Sequence, residues 1–569
     1  MKETLRKYWG YDSFRPGQEE IISSVLEGRD TLAILPTGGG KSICFQVPAL
    51  MKEGICIVVS PLIALMKDQV QNLGRRGIQA LAVYSGMTHR EIDIALDNAV
   101  YGDYKFLYLS PERLRTRLFR ARLEKMNVSY LVIDEAHCIS QWGYDFRPDY
   151  LEIAQVRALL PSDVPVIALT ATATPVVAQD IMDKLGFRER RLIQGDFARP
   201  NLSYVVRRAE DKMGQLLKIC SGISGSGVVY VSKRKNAENL AALLCAHGIS
   251  AEGYHAGMGR LDRSQIQDRW KNGETRVIVS TNAFGMGIDK PDVRFVCHFD
   301  VPDSLEGYFQ EAGRAGRDGR RAYAVLLWNS SDIRSLKQKV HTSFPPLDYI
   351  RDIYQKVFNF LGYAYEEGAG ASVKFSLEDF AKHFKLNTTQ AYYAIRYIEM
   401  SGYWTLTETL SIPAKIQFTV SRDDLYRIQL GSPEMDSFVK VLLRLYPGLF
   451  TEYVPIDIEK IAKSGQYATE AVAGKLVALS RKQLIKYIPA INSPMLNINN
   501  ERLYDKNLRL PESEYKERLG RRLEHVESII DYISSEKGCR SEYLLRYFGQ
   551  EQTSPCGTCD LCIQKNKEL

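Results

Sequence analysis

Short apolar, β-branched runs recur along the first part of the chain, each followed by a stretch whose apolar positions keep helical spacing: "DTLAILP", "GICIVVS", "IQALAVYS", "YKFLYLS", "YLVIDEA" and "VPVIALTATAT". Strands that read as continuous apolar runs, with helices between them, predict a mostly parallel sheet covered on both faces. A second series starts near Gly227 with "GVVYVS", "SAEGYHAG", "TRVIVST", "VRFVCHFD" and "AYAVLLW". The pattern therefore predicts an α/β protein with two parallel-sheet lobes, joined by the polar stretch "RRAEDKMGQ" around Arg208 to Gln215.

After about Ser330 the texture changes to short helices and many tyrosines. Ser376 opens "SLEDFAKHFK" with a capping-box pattern, "LNTT" makes a turn, and "QAYYAIRYIEMSG" reads as a helix ending at Gly402. The strand-like "YWTLT" and "KIQFTV" would complete a winged helix-turn-helix. A weaker copy follows in "DIEKIAKSGQYATEAVAGKLVALSRKQLIKYI", where Val472, Leu476 and Leu479 share one helical face.

Length supports this division, because 569 residues exceed what one ordinary core holds. A formal charge of +7 is only a mild excess, so any polyanion must be met by local patches. The opening "MKETLRKYWGYD" lacks an apolar signal-like run, and the most apolar tract, "ICIVVSPLIALM", is broken by Ser60 and Pro61. Neither export nor a membrane partner is expected. Of ten cysteines, Cys44, Cys56, Cys138, Cys220, Cys245 and Cys297 are scattered through predicted strands and nearby loops, which suits reduced, buried thiols in a cytoplasmic enzyme.

"LPTGGGKSICFQ" follows the first apolar run and precedes a helix. Gly38, Gly39 and Gly40 let backbone N–H groups turn toward phosphate oxygens, Lys41 adds a point charge, and Ser42 can ligate magnesium. Leu35 departs from the strict pattern, which has glycine there. "YLVIDEAHCISQW" ends an apolar strand in Asp134 and Glu135, one carboxylate for the magnesium shell and one to orient or deprotonate water. His137 reads either as a relay between nucleotide and substrate sites or as a structural histidine. In the second lobe, "YFQEAGRAGRDG" sets Arg314 and Arg317 three residues apart, with Gln310 a turn earlier. Arginines offered by one lobe to a nucleotide held by the other would stabilise the transferring phosphoryl group.

"FRPGQEEII", "PTGGGKS", "SPLIALMKDQV", "SPERL", "DEAHCISQWGYDFRPDY", "LTATAT", "YHAGM", "AFGMGIDKPDVRFVCHFD" and "QEAGRAGRDG" occur in the order of the motifs of RecQ-type DNA helicases, and the resemblance spans roughly residues 1 to 340. It implies a superfamily 2 motor of two RecA-like lobes that uses ATP and Mg2+, moves 3'-5' on single-stranded DNA and unwinds duplex in repair, recombination or replication. By motif position it implies that Tyr11 and Arg15 sandwich adenine, that Gln18 reads its edge, and that Lys41, Ser42, Asp134, Glu135, Arg314 and Arg317 complete the ATP site. "CISQWGYDFRPDY" resembles the family's aromatic-rich loop. Trp142 and Phe146 offer faces for unpaired bases, Arg147 offers a cation, and Tyr144 stands where the family usually has histidine. The alternative reading is a DNA-structure-binding factor whose ATPase switches conformation without processive unwinding. Single-stranded-DNA-binding protein or other repair factors, and association with the nucleoid, are further expectations.

Cys539, Cys556, Cys559 and Cys562 fall within 24 residues, with two C-x-x-C spacings and Gly557 at the turn. Four thiolates so spaced suit a closed tetrahedral Zn2+ site, disulfides being the other reading. The segment resembles the family's zinc module, but here it stands last, with no additional helical nucleic-acid-binding domain expected after it. "SSDIRSLKQKV" and "ESEYKERLGRRLEHVESIIDYISSEKGC" resemble that module's two helices. The expected division is 1–200 for the first lobe, 201–342 for the second, 343–511 for an inserted, mainly helical, tandem winged-helix-like region, and 512–569 for a four-cysteine zinc module packed near the second lobe.

Overall fold

In the computed structural model, which describes residues 1–140, 147–282, 284, 290–412, 414–420, 433–489, 491–550 and 554–568, the first apolar series forms β1 (Thr31–Ile34), β2 (Ile55–Val59), β3 (Ala80–Val83), β4 (Phe106–Leu109), β5 (Val128–Ile133) and β6 (Val166–Thr170). A further strand, β7 (Arg191–Gln194), closes one edge, and the order is β3-β4-β2-β5-β6-β1-β7 with every neighbouring pair parallel. Every residue of β1, β2, β4, β5 and β6 is buried, which is why they lack alternation: helices cover both faces. The sequence pattern misses β7 because its "RLIQ" is half exposed at an edge.

The second lobe holds β8 (Leu202–Arg208), β9 (Ser226–Tyr230), β10 (Ala251–Tyr254), β11 (Val277–Ser280), β12 (Val293–His298) and β13 (Ala322–Trp328), in the order β10-β11-β9-β12-β13-β8 and again parallel. Here one expectation fails. Arg208 to Gln215 is not the joint, because β8 runs to Arg208 along β13 and the helix Lys212–Gly222 starts directly after it, burying Leu216, Ile219 and Cys220 in the second lobe's core. The polar residues are an edge-strand end and a helix cap, with Asp211 accepting from Gly214 N–H at 2.8 Å. The joint is residues 195–201, between β7 and β8.

The chain divides into two compact units, Met1–Gln338 with Glu517–Leu569, and Lys339–Lys516. The second unit is entered and left at neighbouring points: the Phe344 and Tyr515 rings lie 5.8 Å apart, and the Tyr515 hydroxyl donates to Pro345 O. Inside it, helices Leu347–Leu361, Leu377–His383 and Thr388–Met400 precede β15 (Trp404–Ile412), with β14 (Ser372–Lys374) between the first two. Ser376 caps its helix by accepting from Asp379 N–H at 3.2 Å, and Gly402 follows the last helix at φ 86°.

"KIQFTV" does not complete the wing begun by "YWTLT". β15 pairs instead with β19 (Ile491–Ile498), antiparallel, in the sheet β14-β19-β15. Residues 415–420 belong to a separate body: β16 (Ala414–Phe418) pairs with β17 (Val454–Ile456) and β18 (Ile485–Ile488). Its core includes Phe438, Leu442, Ile461, Val472, Leu476 and Leu479. This second winged-helix-like body interrupts the first at the tip of its β15–β19 hairpin, where Ile412 and Ile491 are register partners. An insertion of that kind needs only that its ends meet.

Among the scattered cysteines, Cys44, Cys56, Cys138, Cys220 and Cys297 are buried as expected, but Cys245 is exposed, because it lies on the outer side of the helix Arg234–Ala246. Among the described residues no helix is long and apolar enough to cross a membrane.

Candidate functional site

β1, β6 and β5 are adjacent, so their carboxyl ends bring the glycine-rich loop, Thr170 and the Asp134–Glu135 pair to one crevice, the usual ligand position in an open parallel sheet. The loop stays on the sheet for one more residue, with Leu35 N–H donating to Thr170 O at 3.0 Å. Leu35 is 2% exposed and belongs to the first lobe's core, which explains a leucine where the strict phosphate-loop pattern has glycine. Gly38 and Gly40 then take φ of 80° and 76°, and the helix Ile43–Met51 starts after Ser42. Its first N–H groups are turned back onto the loop, Ile43 N–H on Gly40 O and Cys44 N–H on Lys41 O at 3.1 Å each, and the positive end of the helix dipole favours an anion there. A Cβ at Gly40 would run into the Gln18 side chain.

The crevice opens into a cavity of about 990 Å³ lined by Tyr11, Arg15, Gln18, Lys41, Ser42, Asp134 and Glu135 from the first lobe and by Gln310, Arg314 and Arg317 from the second. Arg15 donates to Gly38 O, and Gln18 Nε2 to Gly39 O and Gly40 O at 3.1 and 3.0 Å. Gln18 Oε1 accepts from Arg15 N–H at 2.9 Å, so reading an adenine edge would replace one of these bonds. Tyr11 is 53% exposed, free of the core packing that a buried tyrosine would have.

Asp134 follows β5 directly and is held by Ser60 Oγ at 3.3 Å and by Glu135 N–H at 3.0 Å. Burial, with the Glu135 carboxylate beside it, pushes Asp134 up to about 7, while Lys41 pulls the other way. A carboxylate so short of counter-charge beside a serine oxygen fits an oxygen-seeking dication. Glu135 sits at φ 49°, ψ 49°, a left-handed conformation costing on the order of 1 kcal/mol that aims its side chain into the cavity. His137 is fully buried, its Nδ1 2.9 Å from Thr170 Oγ1 and 3.4 Å from Glu135 Oε2. It stands between the carboxylate and the Thr170–Thr172 turn, where Thr172 N–H donates to Thr170 Oγ1 at 3.2 Å.

Arg314 and Arg317 follow the helix Leu305–Ala312 on a turn, not on the helix itself. Glycines permit their approach: a Cβ at Gly313 would strike Thr37 Oγ1, and one at Gly38 would lie 3.3 Å from Arg317 Cδ. Arg314 is 6% exposed, and the Tyr230 hydroxyl meets its side chain while donating to Phe284 O at 2.7 Å. Arg147 is half-buried at the start of a short turn, its N–H on Cys138 O at 2.9 Å. Trp142, Tyr144 and Phe146 lie outside the described residues.

The motif reading overlooks several supporting residues. Gln69 donates to Ser42 Oγ at 3.3 Å and accepts from Gln46 at 2.9 Å; it lies inside the quoted "SPLIALMKDQV", which is the available signal. Tyr230 ends a strand and reads as core, and nothing in the linear pattern links it to an arginine 84 positions later.

The four cysteine sulfurs lie within 4.8 Å of one another. Backbone N–H groups point at them: Arg540 and Cys562 N–H at Cys559 Sγ (3.4 Å each), and Cys556 N–H at Cys539 Sγ (3.3 Å). Gly557 takes φ 70° at the knuckle. Four converging sulfurs with N–H donors fit Zn2+, which holds thiolates and not thiols. The module sits on the second lobe: Asp560 accepts from Val206 N–H of β8 at 3.0 Å and from Arg540 Nε at 3.2 Å, and Tyr547 donates to Glu306 at 2.8 Å.

Comparison with known proteins agrees with this geometry. Family models match residues 15–181 (DEAD/DEAH box helicase), 211–319 (helicase conserved C-terminal domain), 416–489 (RecQ helicase winged-helix domain, Bacteroidota) and 498–563 (RecQ zinc-binding). The chain is 44% identical over 331 residues to ATP-dependent DNA helicase RecQ of Pasteurella multocida, covering 58% of this chain and 52% of that one. It is 42% identical over 358 residues to the probable ATP-dependent DNA helicase RecS of Bacillus subtilis, covering 62% and 72%. The match to RecQ of Haemophilus influenzae is 43% over 335 residues, 59% and 54%. The chain thus spans about half the length of the RecQ relatives it matches.

Proposed function

Because this chain belongs to the RecQ family of helicases, we propose that it is an ATP-dependent DNA helicase that translocates 3'-5' on single-stranded DNA and opens duplex ahead of it during repair, recombination or replication. The observation that carries this reading is the division of one cavity between two lobes, with Lys41, Ser42, Asp134 and Glu135 on one wall and Arg314 and Arg317 on the other. A site so divided is complete only when the lobes close, so hydrolysis and lobe movement are linked.

In this reading Tyr11 and Arg15 stack on the base, and the loop N–H groups and Lys41 hold the phosphates. Glu135 orients the attacking water, and its contact with His137 carries the state of that carboxylate to the Thr170–Thr172 turn. Arg314 and Arg317 meet the charge that develops on the transferring phosphoryl group. Ser42 and Asp134 would hold Mg2+, which would supply positive charge against the phosphates. Trp142 and Phe146 stack on bases, and Arg147, whose N–H is bonded to Cys138 O just past the two carboxylates, couples that contact to hydrolysis.

Energetics favour a cycle over simple binding. A nanomolar DNA complex has about 12 kcal/mol available, and each base-pair step costs about 1.4 kcal/mol to unstack, so binding alone opens on the order of ten pairs and stops. The test is strand displacement on duplexes with a 3' or a 5' tail. Displacement that needs ATP and the 3' tail supports the reading. ATP hydrolysis without displacement would favour a conformational switch, and preference for the 5' tail would refute the polarity.

A further inference from the structure

Residues 195–201 carry the chain from β7 of the first lobe to β8 of the second. A segment that leaves one sheet for another loses its ladder partners, and its backbone groups must find others. Two of them are met by one side chain of the C-terminal module. Gln550 Oε1 accepts from Phe197 N–H at 3.0 Å, and Gln550 Nε2 donates to Gly195 O at 2.7 Å. Gln194 returns a bond to Phe548 O at 3.1 Å. A primary amide carries both an acceptor and donors, so it can pair with this joint as a neighbouring strand would.

Apolar packing holds that amide in place. The Phe548 ring meets Phe197 edge-on at 5.7 Å and Phe309 at 4.8 Å, and Phe197 and Phe309 are 5.7 Å apart. Between Phe548 and Gln550 stands Gly549 at φ 75°, where a Cβ would lie 2.7 Å from Pro175 Cγ, so a glycine is needed for the loop to reach the first lobe. On its other side the joint holds the arginine turn. Arg199 donates to Ala315 O and Gly316 O at 2.9 and 2.8 Å, and Asn201 to Gly316 O at 2.7 Å. Hydrogen bonds therefore run from the four-cysteine module through the joint to the turn that bears Arg314 and Arg317.

We propose that Gln550 is a positioning residue for nucleotide hydrolysis: it sets the register of the interlobe joint and, through Arg199 and Asn201, the placement of the two arginines against the phosphate loop. It touches neither the cavity nor the arginines. The aromatic contacts hold the module on the motor, while the amide decides where along the joint it sits. The inference rests on the proposed ATPase.

The test uses the full chain with Q550A and Q550E, the latter keeping the bond from Phe197 N–H and losing the one to Gly195 O. In Q550A, kcat for ATP should fall about tenfold while KM stays within about twofold, since two hydrogen bonds are lost and the first lobe's phosphate loop is untouched; Q550E, which sets a carboxylate oxygen against Gly195 O, should fall at least as far. Amide exchange in residues 313–317 should speed up, with metal content and melting temperature held. Wild-type kcat, unchanged exchange at the arginine turn, or activity that falls only in step with metal content or melting temperature would each overturn the proposal. Failure of the functional reading looks different, because the wild-type chain itself would then not hydrolyse ATP.

Discussion

The two lobes share a plan, a parallel sheet with its chemistry at one end of the strands, yet they end their strands in opposite ways. In the first lobe β1 runs into a loop where Gly38 and Gly40 take positive φ, and β5 runs into two adjacent carboxylates, Asp134 being pushed up by burial and by Glu135 beside it. In the second lobe β9 is followed by a closed end: Ser232 N–H and Oγ both reach Asp300 Oδ2, at 2.7 and 2.8 Å. Its contribution comes from a turn after a helix, with arginines delivered as side chains. In the proposed function one lobe is thus the receptor for phosphate and the other the donor of charge. The sheet decides where a site can lie, and the loops decide what it does.

Removing a charge from each side should have the largest effects. Arg314→Ala should lower kcat by about a thousandfold with little change in KM, as expected for an arginine acting on the transferring group. If Arg314→Ala raised KM instead, the second lobe would be a binder too and the division of labour would fail. Glu135→Gln should cut ATP hydrolysis by at least about a hundredfold with DNA binding retained, because the carboxylate proposed to orient water is lost while its shape is kept. Hydrolysis at the wild-type rate would remove the carboxylate from the receptor's chemistry.

A smaller effect would sharpen the donor side. Tyr230→Phe removes a hydroxyl that joins Arg314 to Phe284 O, so kcat should drop several-fold, roughly the worth of one hydrogen bond, at nearly unchanged nucleotide affinity. Equal activity of the two proteins in steady-state assays would show that the arginine is held without it.

The receptor side has its own structural anchor, distant from the chemistry. Asp30 is 1% exposed just before β1; burial alone would raise its pKa, but Arg157, Arg188 and the N–H groups of Arg188 and Val166 outweigh it and hold the carboxyl below the ordinary 3.8. A folded-state pKa below the unfolded one adds stability above the unfolded value that is lost as pH falls through the folded one. Urea melts should therefore show the wild type losing stability relative to Asp30→Asn as the pH is lowered from above the ordinary 3.8 through the lower folded-state value. Parallel pH profiles would mean that Asp30 contributes nothing through its charge.

Much of the molecule is legible from local pattern. Buried parallel strands announce themselves as unbroken apolar runs, a phosphate loop needs glycines at fixed offsets, and four cysteines in 24 residues leave few geometries. Each of these signals is contained in a short stretch of chain. What local pattern does not reach is decided by partners far away in the chain. It misplaces the lobe joint because Arg208 to Gln215 is polar, whereas β8 takes its identity from pairing with β13, more than a hundred residues later. It gives "KIQFTV" to the wrong wing because β15 finds its partner in β19, beyond an entire inserted body. A strand's sequence states that it is a strand, but hydrogen-bond partners are chosen by the whole fold. For the same reason the motifs name Arg314 and Arg317, while Tyr230, Arg199, Asn201 and Gln550, which bond to that turn or to the joint beside it, become visible only when the tertiary structure brings them together.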